Sequence, residues 1–297
     1  MAKEAQALLN SDVWVHNNIQ KYTKETKKKM KKREEEGKTY TAPDFSSFTF
    51  GVDVTRVDRT LLKKAVMCTS YGEGWKSKNE YISEEIDEAY ERETYKLTLT
   101  DKRLVTDAAI QGQSSAFPQC DILNDWFRSF GKACMAADQE FVEWRTPNGS
   151  HIKQKYREPI MKHVKTHAMG GGSYFQVTSK QQPNGQQKYS VQVGFGAVKE
   201  NKSSTALGAN WTQCLETCLL QNTVAGYDKS LFTVHDCFYG LAGDMDDVCQ
   251  QARIEFKNVV ESSPMHTLVQ CNDIQIELPP MGTADISKCL DAPYMVS

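Results

Sequence analysis

The sequence predicts a mixed α/β (α+β) fold, mostly helical, whose strands form antiparallel pairs. Three observations carry that expectation. Leu123, Trp126, Phe127, Phe130 and Cys134 recur at helical spacing within residues 119–138. Thr146-Pro147-Asn148-Gly149 and Gln181-Gln182-Pro183-Asn184-Gly185 each interrupt strand-like runs, as hairpin turns do. The chain of 297 residues is 39% hydrophobic and 25% charged, which is the profile of a protein with a packed core and excludes a disordered or fibrous one. No stretch approaches the roughly 18 consecutive apolar residues of a membrane span. Met1-Ala2-Lys3-Glu4-Ala5 leads into no apolar run of signal-peptide length, so a cytoplasmic location is expected. The nine cysteines should then be reduced thiols; they form no CxxC pair, and the closest two, Cys214 and Cys218, fall in a helix-like stretch, which argues against a zinc or redox site.

Taken in order, Ser11-Asp12 is an N-cap signal for a helix running through Val13, Trp14, Ile19 and Tyr22 into a lysine-rich stretch and ending before Gly37. A second helix should begin near Thr55 after an irregular segment with Pro43, and residues 79–96 form a third with an acidic face. A turn region is expected from Gly112 to Pro118, before the aromatic core helix at 119–138. Phe141-Val142-Glu143-Trp144 and Ile152-Lys153-Gln154 make one hairpin, and residues 173–180 and 187–195 a second, preceded by Gly170-Gly171-Gly172. Helical period returns from Asn210 through Trp211, Leu215, Cys218 and Leu219. Leu231-Phe232-Thr233-Val234 reads as a short buried strand, with His235-Asp236 at its tip and Cys237-Phe238-Tyr239 returning. Asp244 and Asp246 open a last amphipathic helix, where acidic residues suit the positive end of the helix dipole.

The net charge of −2 hides opposed regions. Residues 21–38 carry nine positive and four negative charges, residues 143–202 ten and three, and residues 203–297 four and twelve. A basic stretch of this kind is either a solvated helix face or a surface for a polyanion, whose phosphates it binds without sequence preference.

Two constellations carry chemistry. Arg59, Lys63, Met67 and Tyr71 are spaced by four and so share one stripe of a helix about 18 Å long, with cations first, then a flexible apolar side chain, then a phenol followed by Gly72. A nucleoside triphosphate along that stripe would meet cations at its phosphates and an aromatic near its base and sugar. The second is His235-Asp236. A carboxylate at the tip of a buried hairpin must be neutralised by a metal or a basic group; the alternative is an aspartate used only as a turn former. One carboxylate is too few for two-metal phosphoryl transfer.

Together and in this order, these residues resemble the single-subunit RNA polymerases of bacteriophages and mitochondria. Asp58-Arg59-Thr60-Leu61-Leu62-Lys63-Lys64-Ala65-Val66-Met67-Cys68-Thr69-Ser70-Tyr71-Gly72 is similar to that family's fingers-helix motif B, and Leu231-Phe232-Thr233-Val234-His235-Asp236-Cys237-Phe238 to its motif C, usually His-Asp-Ser-Phe. Val142-Glu143-Trp144-Arg145-Thr146-Pro147-Asn148-Gly149 resembles the strand and turn before the promoter-reading hairpin. Gly208-Ala209-Asn210-Trp211-Thr212-Gln213 resembles the helix before motif C, and the terminal Leu278-Pro279-Pro280 to Tyr294-Met295-Val296-Ser297 the family's C-terminal foot. Related DNA polymerases share the Arg-xxx-Lys and Tyr-Gly spacing but usually have Glu after His-Asp, where this chain has Cys237.

The resemblance implies a right-hand polymerase fold comprising fingers and the C-terminal half of an antiparallel palm with a promoter-reading β-hairpin. Residues 1–40 would be the helix following motif A, 41–140 the fingers with motif B, 141–200 palm strands and the specificity-type hairpin, and 201–297 the palm with motif C and the foot. It further implies DNA-templated ribonucleotidyl transfer with two Mg²⁺ ions. Asp236 would be a metal ligand, with Arg59, Lys63, Lys64, Met67, Tyr71 and Gly72 around the incoming nucleotide, Tyr71 selecting ribose and His235 contacting the primer-terminal nucleotide. Lys162, His163, Lys165 and Asn210 would meet DNA. Thr212 departs from the family's usual His, and residues 174–178 depart from familiar promoter-reading side chains.

The family's first catalytic aspartate lies in motif A, Asp-x-Ser-x-Ser-Gly-x-Gln, and no such string occurs here; Ala7-Leu8-Leu9-Asn10-Ser11-Asp12-Val13-Trp14 resembles the segment that follows it. Asp53 and Asp58 lack the strand context to replace it. The expectation is a split phage RNA polymerase, a heterodimer in which an N-terminal subunit supplies the thumb, motif A and the second metal ligand. Its other partners would be the DNA template and promoter, nascent RNA and ribonucleoside triphosphates, with no membrane. Alternatives are a non-catalytic DNA- or partner-binding remnant and a DNA polymerase fragment.

Overall fold

The computed structural model describes residues 2–43, 45, 59–72, 74–91, 98–164, 177–181 and 187–292. The chain divides into two compact units, Met1–Trp126 and Phe127–Ser297.

The first unit is helical. Helices α1 (Ala2–Leu9) and α2 (Asp12–Glu35) are separated by Ser11, whose hydroxyl accepts from Trp14 N at 3.3 Å as the N-cap signal predicts. α1 was not foreseen; its buried Ala5 and Leu9 join the unit's core. α3 (Arg59–Ser70) buries Leu62, Ala65, Cys68 and Thr69; its expected start near Thr55 lies outside the described residues. α4 (Trp75–Glu91) covers the described part of the acidic helix expected at 79–96.

α5 (Leu99–Ala116) begins with a reciprocal cap. Thr98 Oγ1 accepts from Asp101 N at 3.2 Å and Asp101 Oδ2 accepts from Thr98 N at 2.8 Å. The helix carries through Gly112, so the turn region expected from Gly112 to Pro118 contracts to Phe117, after which α6 (Pro118–Ala136) starts. Gly112 is buried inside α5, where a glycine costs about 1 kcal/mol relative to alanine without ending the helix. A polar knot links α2 to α5. Tyr22 donates to Asp107 at 2.7 Å, and the Arg103 guanidinium lies 3.8 Å over the Tyr22 ring while bonding Glu25 at 2.6 Å. Burial, and then the bond to the Asp107 carboxylate, pushes the Tyr22 phenol well above its ordinary range.

In the second unit, β1 (Val142–Arg145) and β2 (His151–Gln154) form the expected hairpin, with Trp144 opposite Ile152 and Gly149 at φ 87° in the turn. Alternation buries Val142 and Trp144 and exposes Arg145. β3 (Arg157–Val164), β4 (Val177–Gln181) and β5 (Gln187–Val198) form an antiparallel sheet of order β3-β5-β4; Pro159 sits on the edge strand, where its missing donor is tolerated. The β4 arm matches the expected second hairpin over its described residues, and Ser173 to Gln176 lie outside them.

Helices α7 (Glu200–Thr205) and α8 (Leu207–Ala225) precede the hairpin of β6 (Phe232–Val234) and β7 (Cys237–Tyr239). α9 (Met245–Glu261) is the expected last amphipathic helix, with Val248 and Val259 buried, and α10 (Pro264–Asn272) was not foreseen. Its Asn272 imitates a neighbouring strand. Asn272 Oδ1 accepts from Glu143 N at 3.0 Å and Nδ2 donates to Glu143 O at 2.6 Å, satisfying the outer edge of β1. Within this unit α6 and α7 meet at Gly131, where a Cβ would fall 2.6 Å from Ser204 Cα.

Candidate active site

The motif B residues belong to the first unit. α3 turns Leu62, Ala65, Cys68 and Thr69 inward, which leaves Arg59, Lys63, Lys64 and Met67 exposed. Among the described residues no ion pair engages Arg59 or Lys63. Lys64 is different: its ammonium lies 2.6 Å from the Glu85 carboxylate on α4, and that contact raises its affinity for a proton. It braces α3 against α4, a role the sequence did not reveal.

Tyr71 and Gly72 follow the helix in a turn closed by Gly72 N donating to Thr69 O at 2.9 Å. Gly72 has φ 68°, and a Cβ there would come within 3.2 Å of Asn124 Oδ1. Asn124 in turn donates to Thr69 O at 2.9 Å. Glycine is therefore required twice, by conformation and by space, and the half-buried Tyr71 is held at the helix end by that turn.

The motif C residues belong to the second unit. Val234 pairs with Cys237, so His235 and Asp236 are a two-residue hairpin link. Such links favour positive φ, and His235 adopts φ 56° at a cost of about 1–2 kcal/mol for a non-glycine residue. The expectation of a buried hairpin is corrected. Phe232 is 61% exposed, Val234 46% and Tyr239 45%, and Asp236 is exposed. β6 and β7 pair only with each other among the described residues, and a two-stranded sheet of three-residue strands cannot bury both of its faces. The stacked rings of Phe232 and Tyr239, 4.9 Å apart, join the strands at their base. The neighbouring Cys237 thiol donates to Asp236 Oδ1 at 3.7 Å.

A clamp at the base of this hairpin escaped the sequence reading. Lys229, before β6, reaches Asp244 at 2.8 Å and Asp247 at 3.0 Å, at the start of α9. The two carboxylates hold its ammonium far above the ordinary lysine range. The signal was present, since Lys229 is the only cation between residues 203 and 252 and faces a run of aspartates.

The DNA-facing candidates are divided. Lys162 is exposed on β3, His163 lies on that strand opposite Ser190, and Lys165 lies outside the described residues. Asn210 is engaged internally: its Nδ2 donates to Gln154 Oε1 at 2.7 Å and lies 3.0 Å from the Tyr156 hydroxyl. It fastens α8 to the β2 region, which uses both amide hydrogens.

No group of three or more His, Cys, Asp or Glu side chains able to hold a metal occurs among the described residues. Asp236 offers oxygen donors suited to Mg²⁺ at an accessible hairpin tip, so it fits one ligand of such a site and leaves the others to be supplied. No helix among the described residues is long and apolar enough to cross a membrane.

The profile of the DNA-dependent RNA polymerase family matches residues 10–277, and the chain belongs to that family. It is similar to the mitochondrial DNA-directed RNA polymerase 1 of Arabidopsis thaliana, with 24% identity over 248 residues that cover 80% of this chain and 24% of the relative. It is similar also to the chloroplastic/mitochondrial DNA-directed RNA polymerase 2 of the same plant, at 25% over 254 residues covering 81% and 23%. To the chloroplastic DNA-directed RNA polymerase 3 of Nicotiana sylvestris the figures are 23% over 250 residues, 81% and 24%. The chain thus spans about a quarter of the length of these relatives. The mostly helical architecture with small antiparallel sheets agrees with the family's mixed α/β polymerase fold.

Proposed function

We propose that this chain carries the motif B and motif C share of an active site for DNA-templated RNA synthesis, and that a partner N-terminal RNA polymerase subunit supplies motif A. The observation that carries this is the exposed His235-Asp236 link, a left-handed residue followed by a carboxylate at the tip of a hairpin clamped at its base. Family membership over residues 10–277 supports it.

In this reading Asp236 is one ligand of a two-Mg²⁺ site. When bound, the ions would activate the RNA 3′-hydroxyl and stabilise the leaving pyrophosphate. Arg59 and Lys63, exposed and without ion pairs among the described residues, bind the triphosphate, where their charge opposes that developing on the phosphates. Met67 lines the nucleotide stripe. Tyr71, fixed by the turn at Gly72, discriminates ribose, and His235 meets the primer terminus. Lys64 supports α3 through Glu85. Lys162, His163 and Lys165 face DNA, whereas Asn210 keeps unit 2 together.

RNA synthesis on single-stranded DNA with Mg²⁺ and ribonucleotides tests the division of labour. Activity should require both this chain and the N-terminal subunit. Full activity of the 297 residues alone would refute the need for a second chain, and failure of the two chains to bind would refute the heterodimer.

A further inference from the structure

One surface plays no part in the site above. Helix α2 buries Val15, Tyr22 and Thr26, while Lys21, Lys24, Lys28 and Lys31 are all exposed. At about 100° per residue the four lysines fall within a band about 80° wide, roughly opposite that buried seam. The band extends about 15 Å along the helix at about 1.5 Å per residue. Its charge is uncompensated among the described residues. Glu25, the one acidic residue among residues 21–33, pairs with Arg103, and among the described residues no ion pair engages any of the four lysines. Beside the band lies an open groove of about 470 Å³, lined by Asn17, Gln20, Lys21, Lys24, Glu25 and Lys28, which adds two neutral amides to the cations.

We propose that the Lys21, Lys24, Lys28 and Lys31 band of α2 binds the phosphodiester backbone of a nucleic acid, outside the residues assigned to nucleotide and metal. The spacing suits that ligand. One strand of a duplex carries a phosphate about every 3.4 Å along its axis, so about four phosphates fall within the length of the band. Flexible ammonium groups track such a row without reading bases. The choice of nucleic acid over other polyanions rests on the proposed templated synthesis, but binding itself requires no catalysis.

The test uses the full chain and three probes of equal length: duplex DNA, single-stranded DNA and single-stranded RNA. Binding is followed by anisotropy between about 50 and 200 mM salt, the range over which phosphate contacts lose most affinity. Replacing all four lysines by Gln, whose helix propensity is close to that of Lys, should weaken binding tenfold or more. It should flatten the plot of log K against log salt by about 3.6 for duplex or about 2.8 for a single strand. The probe that shows the full change identifies the ligand as duplex DNA, template strand or transcript. Replacing the four by Arg should restore affinity and slope. Lys29→Gln with Arg33→Gln, on another side of the same helix, should change the slope by well under about one per residue. An unchanged slope in the four-Gln protein, or an equal loss per charge in the flank variant, would overturn the proposal. Because no nucleotide is added, neither outcome depends on catalysis.

Discussion

Asn272 offers a sharp energetic test of the second unit. Its side chain is 4% exposed and makes three hydrogen bonds, accepting from Glu143 N at 3.0 Å and donating to Glu143 O at 2.6 Å and Leu268 O at 2.7 Å. Asn272→Ala removes the partner of two backbone groups on the edge of β1 and leaves a small void. An orphaned buried donor or acceptor costs about 1–3 kcal/mol, so the two groups set an expected loss of about 2–4 kcal/mol, partly relieved where water reaches Glu143. Asn272→Asp keeps the acceptor toward Glu143 N but faces carbonyl oxygens where it needs donors, and should cost at least as much as Ala. The assay is urea unfolding followed by tryptophan fluorescence, since Trp144 lies on β1 and is 1% exposed. A shift of less than about 0.5 kcal/mol for Asn272→Ala, the size of an ordinary surface substitution, would refute the reading of Asn272 as the surrogate strand of β1.

Helix α3, to which nucleotide binding is proposed, yields two further predictions. Lys63→Met should raise the KM for ribonucleotides and lower kcat, together about 100-fold in kcat/KM, as for loss of one charged contact to a transferring phosphate. Lys64→Met should change kcat/KM by only a few-fold, because its side chain is engaged by Glu85 and, being half exposed, is held by a solvent-screened pair; equal losses from both in steady-state kinetics would refute their separate roles. Gly72→Ala must adopt φ 68° and displace Asn124, which should cost about 1–3 kcal/mol and weaken discrimination of ribo- from deoxyribonucleotides by loosening Tyr71. Wild-type stability and selectivity in that variant would remove the positional argument for Gly72.

Local chemistry was legible in the sequence and distant partners were not. Ser11 marked the start of α2, Asn148-Gly149 the first hairpin and Asp244 to Asp247 the start of α9, because each signal acts on its own backbone within a few residues. Gly112 misled because its breaker character is a local average, whereas buried packing decided the outcome in α5. Leu231 to Val234 read as a buried strand because an apolar run implies burial, and burial depends on what stands opposite. Lys64 and Asn210 looked alike to their neighbours as candidate contacts for substrate and DNA. Their partners, Glu85 and the pair Gln154 and Tyr156, lie 21 and more than 50 residues away, where spacing carries no information.

The measurement closest to the central claim is single-turnover nucleotide addition to a preformed template and RNA primer, comparing Asp236 with Asp236→Asn in the assembled enzyme. The amide removes one anionic metal ligand while keeping the size of the side chain, and the exposed link at residues 235 and 236 has room for it without refolding. The expected result is a fall of about 10³-fold or more in the rate of addition, about 4 kcal/mol in the barrier, with nucleic-acid affinity unchanged. A rate within about tenfold of wild type, less than about 1.4 kcal/mol, would contradict the assignment of Asp236 as a metal ligand and with it the active-site reading of the hairpin.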